Sequence, residues 1–506
     1  MASGLYSQHV NNKKMLYLRN TIIILVLVTL AVCCLFPLFY MIVNSFGPAV
    51  EAASSNRSVF PTSWSLDSYK AFFSFSEYSV KWLANTFVVS ACQVLGNVVF
   101  ASLAGYAFAK LKFKGKNFLF NLILIGMMIT SLIAIFTSFN LMSQSLSGTS
   151  VMIQQLVWYA FSFFIMGLIM FFGNDTVMKY IKLIYFILLG CLAYLLLSKY
   201  MEAFLGNGRH LPLADDINGA YAWFQFPFAS FQPSEFMKIV LILICSDIID
   251  QHNSNRSMVT YTSDIELFKK ILIWAGPPLL LILLQPDTGV CLIIGITLLV
   301  MLMCSGIKKQ WFLIGGGIVL AAVLIFFYLY FFQYELLTRY IQGYQLSRIT
   351  AWIYPEENML GIGNQLYTSL LSLGSAGISG FGLQPDVVAI PEAHTDFIFA
   401  AVGQSFGLIG TTFILIMCLL LDLYILRIAV NTSIMSEKYM ISGVLGILVY
   451  QQIQNLGMIC GLLPITGITL PLISYGGSSI LSYFIVFGMI MNISSHAKKY
   501  SDFTYN

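Results

Sequence analysis

The sequence predicts an all-α, polytopic membrane protein with about twelve transmembrane helices. Three observations carry this. Of 506 residues, 58% are hydrophobic and only 9% charged, with a mean hydropathy of +0.82; a soluble domain carries about 25% charged residues. Apolar runs of about 20 residues recur along the chain, and in hydrocarbon only helices or closed barrels satisfy every backbone N–H and C=O. Most of the 26 Lys and Arg fall in alternate loops, the asymmetry that orients helices with the cationic side inward.

In order, the expected spans are 20–43, 83–109, 118–141, 155–173, 181–198, 234–250, 270–285, 287–305, 311–332, 396–426, 440–462 and 476–494. Lys13, Lys14 and Arg19 precede the first run, and no small-residue cleavage site follows soon after it. That segment therefore reads as an uncleaved anchor. Lys110, Lys112, Lys114, Lys116, Lys179, Lys182, Lys269, Lys270, Lys308, Lys309, Lys498 and Lys499 all lie on the side shared with both ends. Both termini are thus expected in the cytoplasm. The longest loops, 44–82, 199–233 and the large outer loop 333–395, are expected outside, where there is no ATP. The expected division is an amino-terminal segment 1–117 with two spans, a ten-helix core 118–499 and a short cytoplasmic tail 500–506.

Composition also excludes. The net charge of +4 gives no signal for nucleic acid. The five His and nine Cys show no zinc-site spacing. Each Cys lies in an apolar run, as a small core residue does, and not as part of a disulfide framework.

The most informative stretch is Gln285-Pro286-Asp287-Thr288-Gly289, between the apolar runs 271–284 and 290–303. A charge at a bilayer centre costs roughly 2.5–3.5 kcal/mol on insertion scales. Pro286 breaks the helix and Gly289 relaxes the turn, so Asp287 is expected near the outer interface, facing a cavity. The plainer reading is that Asp287 caps the next helix. Glu235 and Lys238, three apart, share a helix face; they form an internal ion pair or line a cavity. Ser234 is an expected helix N-cap after Pro233. His394, Thr395 and Asp396 are expected to open the tenth span, as caps or as an anion site at a helix N-terminus. Ser474 to Ser479, with Gly476, Gly477 and Ser478, is either a backbone cradle for phosphate or a tight turn used for helix packing.

Two resemblances follow from longer motifs. Phe36-Pro37-Leu38-Phe39, Phe60-Pro61, Asn85-Thr86, Gly105-Tyr106-Ala107-Phe108-Ala109 and Phe113-Lys114-Gly115-Lys116 resemble the amino-terminal part of carbohydrate ABC-transporter permeases, up to about Ile129. The coupling segment of such permeases has no match on the inner side. Glu51-Ala52-Ala53 has its letters but lies in an outer loop, so this part is expected to be a non-transporting anchor or fusion remnant, or else an artificial or mis-assembled join.

From about Gly126 to Lys499 the chain resembles the SEDS (shape, elongation, division and sporulation) family, the RodA and FtsW type of peptidoglycan glycosyltransferase. The motifs are 231–238 (FQPSEFMK), 285–289 (QPDTG), 391–400 (PEAHTDFIFA) and 463–479 (LPITGITLPLISYGGSS). All four fall at outer ends of expected spans. The resemblance implies polymerisation of lipid II outside the cytoplasmic membrane. Asp287 would be catalytic, as general base on the sugar 4-hydroxyl. Glu235, Lys238, Arg348, His394, Thr395, Asp396, Ser474, Gly476, Gly477 and Ser478 would contact substrate, with Lys238 or Arg348 near the pyrophosphate. Trp352, Pro355 and Gln365 share the pattern around Arg348. A cationic group or divalent cation would offset the leaving charge. The implied partners are a class B penicillin-binding protein transpeptidase and other elongation or division proteins. The chain departs from the family at Ala222, where Arg is expected, and at Gln404, where an acid is frequent; Arg209 is the candidate to compensate for Ala222. Two other classes compete: a transporter, either a sugar permease subunit or a lipid II flippase, and a non-catalytic scaffold of the cell-wall machinery.

Overall fold

A computed structural model describes 42–43, 45–47, 63–75, 80 and 84, and then 116–503 apart from 141–147, 206–210, 215, 217–219, 227–228, 341–342, 359–360, 362 and 384–386. The chain divides into two compact units, Met1–Cys92 and Gln93–Asn506. The spans expected at 20–43 and 83–109 fall almost wholly outside the described residues, as do Glu51-Ala52-Ala53 and Arg209. In the first unit a short helix α1 (Asp67–Phe75) sits beside a small aromatic group, with Phe46 5.3 Å from the Tyr69 ring and 6.1 Å from Trp64.

In the second unit each of the ten spans expected from 118 onward falls on a helix. These are α2 (Lys116–Asn140), α3 (Gly148–Phe172), α4 (Asn174–Leu205), α5 (Pro233–Asn255), α6 (Tyr261–Leu284), α7 (Thr288–Cys304) and α8 (Gln310–Phe332). After three shorter helices, α9 (Tyr334–Tyr340), α10 (Gly343–Ile353) and α11 (Gly363–Ser375), come α12 (Ile398–Asn431), α13 (Met435–Ile459) and α14 (Gly477–Phe503). Seven of the described helices are long and apolar enough to cross a bilayer, and α7 is a shorter apolar one. This is an integral membrane protein. α5 and α13 sit centrally and carry polar side chains inward: Glu235, Lys238, Gln451 and Asn455 are all buried. α5 packs on α4, α6, α7, α13 and α14. By contrast α8 is apolar on every face and buries only Tyr330, the pattern of a helix surrounded by lipid.

Several expectations change. The outer loop 333–395 is largely helical, built from α9 to α11. Residues 224–226 and 229–231 pair as a two-stranded antiparallel hairpin, the described exception to an all-helical chain. The tenth span begins at Ile398, with Phe397 as N-cap, so His394, Thr395 and Asp396 lie in the turns before it. Gln232, not Ser234, is the N-cap of α5, because Pro233 already occupies the first helical position where its missing N–H costs nothing. Cys245 and Cys418 are buried as expected, but Cys304 and Cys460 are exposed.

α12 is broken at Gly407, whose φ of 59° and ψ of −148° no side chain tolerates comfortably. The segment after α11 fills the break. Leu408 N–H donates to Gly377 O at 3.0 Å, Ile409 N–H to Ile378 O at 3.2 Å, and Phe381 N–H to Gln404 O at 2.9 Å. A Cβ on Gly407 would lie 2.5 Å from Ile378 O. The irregular backbone is thus paired inside the protein, the condition for its survival in a bilayer.

Candidate functional site

The site assembles at one end of the bundle, where α5, α7, α12 and α14 begin. The turn between α6 and α7 is held from α4: Lys199 Nζ donates to Leu284 O at 2.7 Å, and Gln285 Nε2 to Leu192 O at 2.7 Å. Asp287 follows as the N-cap of α7, where Oδ1 accepts from Val290 N–H at 3.2 Å. So the capping reading holds, but it uses one carboxylate oxygen only. Oδ2 accepts from Gln232 Nε2 at 3.0 Å. Gly289 lies under the loop before α14: a Cβ there would meet Ile468 at 3.5 Å and Thr466 O at 3.7 Å.

One turn into α5, Lys238 Nζ lies 2.7 Å from Glu235 Oε2, and their side chains are 1% and 8% exposed. Lys238 also donates to Tyr483 OH at 3.1 Å and sits 4.6 Å from that ring's centre. Tyr483 in turn bonds Gln451 Oε1. The ion-pair reading is therefore correct, with α14 and α13 as its outer partners. Burying two charges is tolerated because each is the other's partner and Lys238 donates a second bond to Tyr483.

The other two motifs interlock. Asn455 Nδ2 donates to Asp396 O at 2.7 Å and to Ile468 O at 2.8 Å. Ser474 Oγ accepts from Leu470 N–H at 2.9 Å and donates to Thr395 O at 2.6 Å. Tyr475 N–H donates to His394 O at 2.9 Å, and the two rings are 5.8 Å apart. Thr395 Oγ1 reaches back to Glu392 Oε2 at 3.1 Å. Glu392 and Leu472 hold positive φ, 53° and 62°, conformations that persist in non-glycine residues only where surroundings over-determine them. A Cβ on Gly467 would lie 3.3 Å from Asp396 Oδ2 and 4.0 Å from Arg348 Nη2. The stretch 466–468 thus runs between the Asp287 turn and the Asp396 and Arg348 side chains.

The glycines divide. Gly476 has no neighbour closer than 3.8 Å to an added Cβ, and its N–H donates to Gln155 Oε1 at 3.4 Å. Gly477 is pressed on Trp158 of α3, 2.2 Å from an added Cβ, which is helix packing. Ser478 Oγ accepts from Gln232 N–H at 3.1 Å and donates to Ser230 O at 3.0 Å.

Burial raises two carboxyls of this site. Loss of water around Asp287 pushes its carboxyl up to about 6, against the opposing bond from Val290 N–H. Glu235 pushes the same way, while Gln232 and Lys238 pull back. Asp396 is also raised to about 6, by burial and then Glu392, with Arg348 opposing. Burial lowers the His394 imidazole below its ordinary value, with Glu392 opposing.

Asp287, Glu235, Lys238 and Ser478 are therefore joined around the start of α5, and Arg348, His394, Thr395, Asp396 and Ser474 around the 466–475 loop. Gln232, Tyr483, Gln451 and Asn455 were not singled out from the sequence. The recurrence of Gln-Pro at 232–233 and 285–286 was the available signal for Gln232. Gln404 is buried and bonds Val388 O at 3.1 Å. Ala222 is also buried. Among the described residues no three of His, Cys, Asp and Glu gather as a metal shell.

Comparisons with known proteins agree with this architecture. Residues 117–499 match the family described as the FtsW/RodA/SpoVE cell cycle proteins, a match that begins inside the stretch, up to about Ile129, where the sequence resembles a permease. The chain is 33% identical over 287 residues to the peptidoglycan glycosyltransferase MrdB of Escherichia coli K12, covering 56% of this chain and 73% of that protein. It is 31% identical over 288 residues to stage V sporulation protein E of Bacillus subtilis 168, covering 56% and 73%. Its fold is similar to a solved peptidoglycan synthase complex of polymerization and crosslinking, with TM-score 0.59, 22% identity and coverage of 75% and 97%. It is also similar to the rod shape determining protein RodA of Thermus thermophilus, with TM-score 0.51, 22% identity and coverage of 76% and 97%.

Proposed function

Because the chain belongs to the FtsW/RodA/SpoVE family of cell cycle proteins, we propose that it is a peptidoglycan glycosyltransferase that polymerises lipid II at the outer face of the bacterial cytoplasmic membrane, with Asp287 as its general base. The observation that carries this reading is the setting of Asp287. Its carboxylate is fixed by one backbone N–H and one side-chain amide where the conspicuous motifs meet. Each carboxylate oxygen accepts up to two hydrogen bonds, so both retain a lone pair for an incoming hydroxyl. A carboxyl raised to about 6 is a stronger base than a solvated one and is still about nine-tenths ionised at pH 7.

In the reaction, the acceptor sugar hydroxyl attacks the anomeric carbon of the donor. Its proton passes to Asp287 as the new C–O bond forms and the bond to the polyprenyl pyrophosphate breaks. A pyrophosphate leaves without a strong acid, so one base on the attacking side suffices, with inversion at that carbon. Lys238 is buried and donates to Glu235 and Tyr483, and its charge acts on Asp287 through space. Arg348, beside Asp396 and Gly467, is the cation assigned to the leaving pyrophosphate. The cationic loops expected inside support an outward-facing Asp287. A class B penicillin-binding protein is the proposed partner, supported by the fold's likeness to a complex of polymerization and crosslinking.

The test is Asp287→Asn, an isosteric change that keeps an acceptor for Val290 N–H. The variant is expected to insert and melt like a folded protein yet make no glycan polymer on gels from purified lipid II and its transpeptidase. Polymer from that variant would overturn the assignment.

A further inference from the structure

We propose that Gln232 is a positioning residue for this reaction: its side-chain amide holds the Asp287 carboxylate in the orientation from which it takes the acceptor's proton. This rests on Asp287 being the general base. Three observations carry it. Gln232 occupies the N-cap position of α5 but makes no side-chain cap bond; its amide instead spans to Asp287 Oδ2 at 3.0 Å. Only the NH2 edge of that amide can donate to an ionised carboxylate, which settles its orientation. The residue is itself braced, with its backbone N–H on Ser478 Oγ and the Ser478 hydroxyl on Ser230 O. One amide thus stands on the hairpin, α5 and α14 together and reaches the start of α7.

A donor of this kind favours the charged form of its acceptor and fixes the lone pair opposite. Its partner bond at Oδ1, from Val290 N–H, belongs to the backbone and remains in any side-chain variant. The charged groups that act on Asp287 are Glu235 and Lys238 on α5; the Cys291 thiol lies one turn along α7, and Lys199 donates to the Leu284 carbonyl before the turn. None is altered by changing Gln232.

The experiment measures lipid II polymerisation by the full chain with its transpeptidase across pH 5 to 8, for wild type, Gln232→Met, Gln232→Asn and Asp287→Asn. Met keeps the length without a donor; Asn keeps the amide but falls one methylene short. Both are expected to lower kcat about 10-fold or more and leave KM within about twofold, with the acid limb moved upward by about half a pH unit or more. A purely structural role would lower the melting temperature without moving that limb. Wild-type limbs in both Gln232 variants, beside an inactive Asp287→Asn, overturn this proposal and leave the base in place. Activity in Asp287→Asn overturns the base itself. Failure of both Gln232 variants to fold assigns the residue to stability and also overturns the proposal.

Discussion

Replacing Lys238 with Met removes the cation from a pair whose side chains are 1% and 8% exposed. The Glu235 carboxylate then stays behind α5's buried face without its 2.7 Å partner, and Tyr483 loses a 3.1 Å donor and a cation over its ring. Breaking a buried pair from one side costs about 3–5 kcal/mol, because the surviving charge is desolvated and unpaired. Removing both charges, in Glu235→Gln with Lys238→Met, leaves two neutral groups of similar size and should recover all but about 1–2 kcal/mol. Thermal unfolding of detergent-purified protein reads both numbers. Function adds a second reading, because Glu235 raises and Lys238 lowers the Asp287 carboxyl. Lys238→Met alone should shift the acid limb of polymerisation upward, while the double variant should return it close to pH 6. If Lys238→Met melts within about 1 kcal/mol of wild type, the pair is worth no more than an exposed one, and the argument from burial is wrong.

Three further predictions concern the same end of the bundle. With Asp287 raised to about 6, activity should fall about tenfold per pH unit below 6, since only the ionised form is a base. The stability sign is opposite: this group's contribution is fully present below its ordinary value near 3.8 and is lost as pH rises through 6. Asp287→Asn should therefore melt higher than wild type at pH 7, as measured by the same unfolding assay. Gly477→Ala drives a Cβ to 2.2 Å from the Trp158 ring and should cost about 1–3 kcal/mol. Trp158→Leu in the same chain should restore both melting and glycan synthesis; stability without synthesis would instead give Gly477 a direct part in binding.

The sequence by itself determined what depends on neighbours along the chain. Hydropathy located ten of the described helices of the second unit because insertion of an apolar run is a local equilibrium between helix and lipid. Pro286 and Asp287 were legible as a helix end and a start for the same reason: a missing N–H and a side-chain cap act within one turn. Only the tertiary structure decided which groups meet. Gln232 finds Asp287 55 residues away, Ser478 serves Gln232 across 246, and Asn455 ties Asp396 across 59. Periodicity carries no information at those separations. The same holds at Gly407, where the partners of the broken helix come from residues 377–382, and in the segment 333–395, whose short helices are stabilised by packing and not by length or hydropathy. Side-chain pairing between loops is fixed by how the helices beneath them pack, and that depends on every buried face at once.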